Sequence, residues 1–262
     1  MIDHIGQMPS VAAKKFKNKE ALCFEGKSFT FEELSKLIEK FSSSLSSLGI
    51  KQKDVVTLYA SNSWEWIVSY FSIARIGAII NPVNTMLTPS EIKHVVNDCK
   101  AKAIITSSDK VQSIINIKNE TSVSTLISFG KAPQGAEAFN NLIEKETKPI
   151  EMPNISPEDL STIGYTSGTT GHPKGAMQSH KSVVINGAMT SQLHMRGPED
   201  VVVSALPCPH VYANVLMTGM MMFGTKLVLH QTFDPLNVFK DIEKHKATIF
   251  DGVPTMFMFM LN

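Results

Sequence analysis

The most informative stretch of this sequence is YTSGTTGHPKG, which runs from Tyr165 to Gly175. It follows a predicted strand that ends at Tyr165. The next ten residues contain four hydroxyl side chains, three glycines and one lysine. Glycines let backbone amides approach an anion closely, hydroxyls donate further hydrogen bonds, and a lysine supplies a positive charge for phosphate. The pattern therefore predicts a loop that binds a polyphosphate.

This loop is not a Walker A motif, because Pro173 precedes the lysine and Gly175 follows it. A flexible Ser/Thr/Gly turn between two strands is the structural alternative. The full string of eleven residues favours the phosphate loop over that alternative. It also favours phosphate contact over a solvated position for Lys174. His172 stands within the loop, and we expect it to be exposed.

Strands and helices alternate on both sides of the loop, which predicts an α/β fold with two largely parallel sheets flanked by helices. Thr30 to Glu33 and Thr88 to Glu91 have the form of capping boxes at helix starts. The turn at residues 25–27 predicts a hairpin. After the loop, the pattern predicts helices at 180–193, 211–223, 235–245 and from 254, and strands at 176–178, 201–205, 226–229 and 248–250.

A stretch with four prolines, from Gly130 to Pro157, interrupts this alternation and is the best candidate boundary. We therefore predict a first α/β subdomain at residues 1–157. The second, at residues 158–262, carries the phosphate loop.

Composition excludes several classes of protein. The 262 residues carry 25 basic and 24 acidic side chains, so no basic surface for nucleic acid is indicated. The apolar stretches at 67–80 and 215–229 are interrupted and too short to span a membrane. No metal-ligand spacing is present among the histidines and cysteines. Three scattered cysteines, Cys23, Cys99 and Cys208, indicate reduced thiols and a cytoplasmic location.

The loop from Tyr165 to Gly175 resembles the signature phosphate loop of the adenylate-forming superfamily, which includes acyl-CoA synthetases, peptide-synthetase adenylation domains and luciferases. Four further segments resemble family segments in the expected order. They are FTFEEL from Phe29, ARIGA from Ala74 with a following Asn-Pro, LPCPH from Leu206 and GVPTM from Gly252. The resemblance spans nearly the whole chain and implies most of the large amino-terminal domain of an acyl-CoA synthetase, truncated.

The resemblance implies roles for particular residues and three small molecules. His210 would be catalytic and would contact the acyl carboxylate or the α-phosphate. The nucleotide would be held by Thr166, Ser167, Gly168, Thr169, Thr170, Gly171 and Lys174. The acid would be held by His210, Val211, Asn214, Val253 and Pro254. ATP, Mg²⁺ and coenzyme A are implied as cofactor and co-substrates, with no protein metal ligand assigned.

Two departures from the family pattern affect the acyl side. Pro209 replaces the usual aromatic residue before the histidine, and Ala213-Asn214 replaces a usual glycine. The leading interpretation is activation of a fatty acid to acyl-adenylate and then acyl-CoA in the complete enzyme. Adenylation of an aryl or amino acid, a non-catalytic nucleotide- or acyl-binding module, and an expressed gene fragment stay as alternatives.

The family's adenine, ribose and magnesium-binding motifs and its catalytic lysine have no counterpart in residues 1–262. We therefore expect this chain to be inactive alone. Peripheral membrane association through the acyl substrate and a homodimer are left open.

Overall fold

The structure is a computed structural model that describes residues 2–166 and 173–261. A short 3-10 helix at Ile5–Gln7 precedes the other elements. The α-helices are α1 (Met8–Phe16), α2 (Phe31–Ser47), α3 (Trp64–Arg75), α4 (Pro89–Asp98), α5 (Val111–Lys118), α6 (Phe139–Glu144), α7 (His180–Leu193), α8 (Val211–Phe223), α9 (Pro235–His245) and α10 (Pro254–Leu261). The strands are β1 (Glu20–Phe24), β2 (Lys27–Thr30), β3 (Val55–Tyr59), β4 (Ile79–Pro82), β5 (Ala101–Ser107), β6 (Thr125–Phe129), β7 (Glu137–Ala138), β8 (Leu160–Thr166), β9 (Lys174–Ser179), β10 (Val201–Ser204), β11 (Lys226–Leu229) and β12 (Ile249–Asp251).

The strands form two sheets, which confirms the predicted α/β class. The five-stranded sheet has the order β12-β10-β11-β1-β2, and the seven-stranded sheet has the order β7-β6-β5-β3-β4-β8-β9. Pairing is parallel except in the hairpins β1–β2 and β8–β9. The turn of the first hairpin has positive φ at both Glu25 and Gly26, as a tight hairpin requires.

Each sheet takes strands from both sides of the predicted boundary between residues 157 and 158. Strands β1 and β2 pair with the five-stranded sheet, whose other strands all follow residue 200. Strands β8 and β9 complete the edge of the seven-stranded sheet. The two sheets are therefore interleaved along the chain, and the division into subdomains at residues 1–157 and 158–262 stays a prediction.

Helix starts follow the local signals that the sequence carries. Thr30 Oγ1 accepts from the Glu33 amide at 3.2 Å, and Glu33 Oε2 accepts from the Thr30 amide at 2.8 Å. A second capping box joins Thr88 and Glu91 at the start of α4. The observed bounds of α7, α8 and α9 match the predicted helices. Nearby residues determine where these helices start, because a capping interaction involves only residues within one turn.

Packing between elements forms one large core that joins both sheets. Trp64 and Trp66 are buried in it and pack among its apolar side chains. Met217, Met220 and Met221 of α8 are also fully buried, so these three methionines belong to the core. Within the described ranges, no helix is both long and apolar enough to cross a membrane.

Candidate functional site

The predicted phosphate loop joins the two strands of the β8–β9 hairpin. In the antiparallel register, Thr166 pairs with Lys174 and Tyr165 with Gly175. Thr166 and Lys174 are both exposed, so they stand at the two ends of the loop with their polar groups open to solvent. Five predicted nucleotide-binding residues lie outside the described residues, namely Ser167, Gly168, Thr169, Thr170 and Gly171.

Two contacts shape the base of the hairpin. The Tyr165 hydroxyl donates to the Asp98 carboxylate at the end of α4. Burial, followed by the Asp98 contact, raises the pKa of Tyr165, so the phenol keeps its proton and stays a donor. A Cβ at Gly175 would lie 2.8 Å from Ile163 Cγ2 and 3.2 Å from the Tyr165 ring. Glycine is favoured there because the Ile163 methyl, and next the Tyr165 ring, occupy the side-chain space.

Helix α8 lies across from this hairpin, and His210 caps its amino terminus. His210 Nδ1 accepts from the Tyr212 amide at 3.2 Å, and the ring is exposed. A neutral imidazole that accepts at one nitrogen carries its proton on the other. The cap therefore leaves Nε2–H as a donor at the entrance of the site. This donor suits an oxyanion such as a carboxylate or phosphate.

A buried asparagine in the loop between β3 and α3, Asn62, holds the segment before His210. Asn62 Nδ2 donates to the Leu206 carbonyl at 2.9 Å and the His230 carbonyl at 3.0 Å. Its Oδ1 accepts from the Cys208 amide at 2.7 Å. Burial raises the pKa of the Cys208 thiol, which excludes a thiolate at this position. The sequence carries no signal for Asn62, because its partners are more than 140 residues away.

A small cleft of about 30 Å³ separates the β8–β9 hairpin from the start of α8. Its lining is formed by Pro82, Thr162, Gly164, Gln178, Val183, Asn186, Cys208, Pro209, Val211 and Asn214. The structure thus brings the predicted acid-binding residues Val211 and Asn214 to the strands that carry the phosphate loop. Thr166, Lys174 and His210 are outside this lining, at the exposed ends of the same elements.

The predicted acid-binding residues Val253 and Pro254 lie at the start of α10, where both are exposed and outside the cleft lining. The strand before them is held by a buried ion pair. Arg196 Nη2 donates to Asp251 Oδ2 at 2.5 Å, and the Tyr212 hydroxyl donates to Asp251 Oδ1 at 3.1 Å. This network ties the segment before Val253 to the first turn of α8. Sequence inspection did not identify it.

The described residues include polar groups that suit a phosphate, but no cluster of metal ligands. Lys174 and Thr166 fit an anionic phosphate, since one supplies positive charge and the other a hydroxyl donor. Among residues 2–166 and 173–261, no group of three or more His, Cys, Asp or Glu side chains is placed to hold a metal ion. No described side chain is therefore assigned to Mg²⁺.

Comparison with known proteins identifies the family of this chain. The family model described as AMP-binding enzyme matches residues 10–262. The indoleacetate–CoA ligase of Aromatoleum aromaticum is 29% identical over 93% of this chain and 48% of its own length. The long-chain-fatty-acid–CoA ligase of Bacillus subtilis is 28% identical over 96% of this chain and 50% of its own length.

A solved structure has the same fold. The long-chain-fatty-acid–CoA ligase of Archaeoglobus fulgidus superimposes with a TM-score of 0.92 at 25% identity, over 99% of this chain and 53% of that one. The chain spans about half the length of the relatives it matches. With a family model matched over residues 10–262, this chain belongs to the AMP-binding enzyme family of adenylate-forming CoA ligases.

Proposed function

We propose that this chain supplies the phosphate-binding and acyl-binding half of an ATP-dependent acid–CoA ligase whose substrate is a fatty carboxylic acid. The observation that carries the proposal is the cleft between the β8–β9 hairpin and α8. One wall belongs to the strands that bear Thr166 and Lys174, and the other belongs to the helix that His210 caps. A phosphate chain and a carboxylate would therefore meet at this cleft.

The reaction has two displacements. A carboxylate oxygen bonds to the α-phosphorus of ATP, the bond from that phosphorus to the bridging oxygen breaks, and pyrophosphate leaves. The thiol of coenzyme A then attacks the acyl carbonyl, and AMP leaves with the electron pair of the anhydride bond. The first step brings two anions together, so most of its catalysis is positioning and charge stabilisation.

The residues of this chain have separable tasks in that first step. Lys174 and Thr166, with the loop between them, bind the departing pyrophosphate. The His210 Nε2–H donates to the carboxylate or the α-phosphate and offsets the repulsion between them. Tyr165 and Asp98 fix the base of the hairpin, and Asn62 fixes the segment that ends at His210. Mg²⁺ would add positive charge at the phosphates when bound.

The first test is polyphosphate binding by this chain. Pyrophosphate should raise its melting temperature, because a ligand that binds only the folded state stabilises it. Lys174→Ala should abolish the rise. Lys181→Ala is the matched control, since Lys181 is also exposed but pairs with Glu158 at 2.8 Å. An equal rise in wild type and Lys174→Ala across a salt series would remove Lys174 from the site.

The second test is turnover. Pyrophosphate release should be measured with fatty, aryl and amino acids. The two proteins to compare are this chain and the protein encoded by the whole open reading frame that contains it. We expect this chain alone to give none, because loss of one preorganised contact costs about 100- to 1,000-fold in rate and several contacts are missing. Substantial acid-dependent release by the 262 residues alone would contradict that expectation.

An aryl acid is the second candidate substrate. The cleft lining carries three amide side chains, those of Gln178, Asn186 and Asn214, which offer hydrogen-bonding groups to a substituted acid. One relative is named for indoleacetate, an aryl acid. Pyrophosphate release with aryl acids and not with fatty acids would favour an aryl acid over a fatty acid as the substrate.

Cytoplasmic location, peripheral membrane association and a homodimer belong to this proposal as predictions.

A further inference from the structure

A second cavity lies between helix α2, strand β2 and the segment that follows α6. This groove has a volume of about 610 Å³, compared with about 30 Å³ for the cleft beside α8. Among the described residues, the groove and the cleft share no lining residue. Small-molecule sites usually occupy about 300–1,000 Å³, so the groove is large enough for a ligand of its own.

The apolar part of the groove lining comes from three parts of the chain. Phe29 belongs to β2 and is buried beside the Trp64 ring, with 5.1 Å between the ring centroids. Leu37 belongs to α2 and is half-buried against the main core. Pro149 lies in the segment between α6 and β8. An alkyl chain in the groove would remove part of this apolar surface from water.

Three lysines also line the groove, namely Lys27, Lys36 and Lys40. The Lys27 ammonium lies 4.1 Å from the centroid of the Trp64 ring, where a cation–π contact holds it. Lys36 and Lys40 are exposed and lie four residues apart on α2, which places their Cβ atoms about 5–6 Å apart. Within residues 2–166 and 173–261, neither Lys36 nor Lys40 forms a hydrogen bond or a salt bridge.

The two carboxylates of the lining already have partners. Glu33 Oε2 accepts from the Thr30 amide at 2.8 Å and from the Thr30 hydroxyl at 2.9 Å, in the capping box of α2. Glu39 Oε1 lies 3.6 Å from Arg75 Nη2. Glu33 also offsets part of the charge of Lys36. Since both carboxylates are engaged, the lysines leave the groove with an excess of positive charge.

We propose that this groove binds a single-chain amphipathic anion. Its alkyl chain would lie along Phe29, Leu37 and Pro149, and its head group would lie between Lys36 and Lys40. The apolar lining favours the chain, and the excess of positive charge favours an anionic head group. An ammonium group acts as a point charge, so the site does not need a head group of one particular shape. This inference does not depend on the proposed function, because the groove is separate from the cleft.

Four alkyl compounds separate the effect of charge from that of apolar contact. Octanesulfonate is an anion that cannot form an acyl-adenylate, octyl methyl sulfone is a neutral compound of similar size, and octyltrimethylammonium is a cation. The anion should bind about 1.5- to 5-fold more tightly than the neutral sulfone, as expected for a solvent-exposed ion pair. Hexanesulfonate has two fewer methylenes and should bind about 4- to 16-fold more weakly than octanesulfonate, depending on how fully the chain is buried.

The signals of the two tryptophan indoles in two-dimensional NMR of the isotope-labelled chain provide the readout. Trp64 lies beneath the Lys27 ammonium, whereas Trp66 is fully buried in the core. Octanesulfonate should therefore shift the Trp64 indole signal and leave the Trp66 signal in place. The dissociation constant of each compound follows from the titration of the Trp64 signal.

Variants test each part of the groove. Lys36→Gln combined with Lys40→Gln should remove the preference for the anion but keep the effect of chain length. Leu37→Asn should weaken the binding of every octyl compound, because it replaces an apolar contact with a polar one. Lys14→Gln is the matched control, because Lys14 is an exposed lysine of α1 outside the groove lining, and it should bind like wild type. Melting temperatures check that each variant folds.

Four outcomes would contradict the proposal. Equal binding of octanesulfonate and octyl methyl sulfone in wild type, or tighter binding of octyltrimethylammonium, would overturn the assignment of an anion. A preference for the anion that survives in the double lysine variant would remove Lys36 and Lys40 from the site. If no octyl compound shifts the Trp64 signal, the groove is not a ligand site. Pyrophosphate binding at Lys174 is measured separately, so the proposed function can stand or fail on its own.

Discussion

Helices α3 and α10 are both rich in large apolar residues, yet they have opposite environments. In α3, ten of twelve residues are buried, and Trp66 has no exposed surface. In α10, only Met256 is buried, while Phe259 is 66% exposed. Helix α3 packs against α2 and the seven-stranded sheet, whereas α10 packs mainly on α9. Apolar composition thus leads to burial only where neighbouring elements surround the helix.

The largest difference between the two helices should appear in truncation of an aromatic side chain. Trp66→Ala should lower the free energy of unfolding by about 3–5 kcal/mol, because it leaves a cavity beside the stacked Tyr70 ring. Phe259→Ala should change it by less than about 0.5 kcal/mol, because that ring loses little buried area. Urea denaturation followed by circular dichroism measures both. Equal losses would show that α10 is covered in solution.

The next effect comes from the buried ion pair between Arg196, in the loop after α7, and Asp251 at the end of β12. Arg196→Met leaves the Asp251 carboxylate buried without its charge partner, which should cost about 3 kcal/mol. The double variant Arg196→Met with Asp251→Leu removes both charges and should recover most of that loss. The free energy of unfolding of both variants is the measurement. A double variant as unstable as the single one would mean that packing, rather than the unpaired charge, dominates.

Low pH should destabilise the folded protein through His180, the first residue of α7. Burial, followed by the neighbouring His4, lowers the pKa of His180 from its ordinary 6.5 to about 4. Above 6.5 the ring is neutral in both states. Between 6.5 and 4 the unfolded chain binds more protons, so stability falls as pH falls, by up to about 3 kcal/mol. His180→Gln should remove this part of the pH dependence of unfolding, and an unchanged slope would contradict the assignment.

The smallest expected effect concerns association. Phe257, Phe259 and Leu261 are exposed apolar residues of α10, and uncovered apolar surface promotes association. Light scattering should show a mass that rises with concentration. Phe257→Ser combined with Phe259→Ser should reduce that rise without altering the circular dichroism spectrum. A monomer at every concentration in wild type would contradict this prediction.

Much of the fold was predictable from the sequence because its signals are local. Capping at Thr30 and Thr88, and the bounds of α7, α8 and α9, depend on residues within a turn or two. Elements without a cap or clear periodicity were not predicted, including β4, α5 and the short pair β7 and α6. The last two lie inside the proline-containing stretch that the sequence identifies as a boundary.

The candidate site was predictable in its chemistry but not in its geometry. The loop residues stood out because their types and spacing match phosphate chemistry, whereas His210 was identified through the family resemblance of its segment. Asn62, Tyr70 and Arg196 did not, because each acts through a partner far along the chain. Val253 and Pro254 belong to a segment that resembles a family segment, yet they lie outside the lining of the described cleft.

By itself, the sequence determined the α/β class and the family and predicted the phosphate loop, since each depends on short-range pattern. Only the tertiary structure decided that β1 pairs with β11, more than 200 residues later, and that β8 and β9 complete the other sheet. It also decided that Asn214 meets Tyr70 beneath the cleft. Strand pairing and side-chain contacts of this kind depend on packing the whole core, and no local window of sequence contains that information.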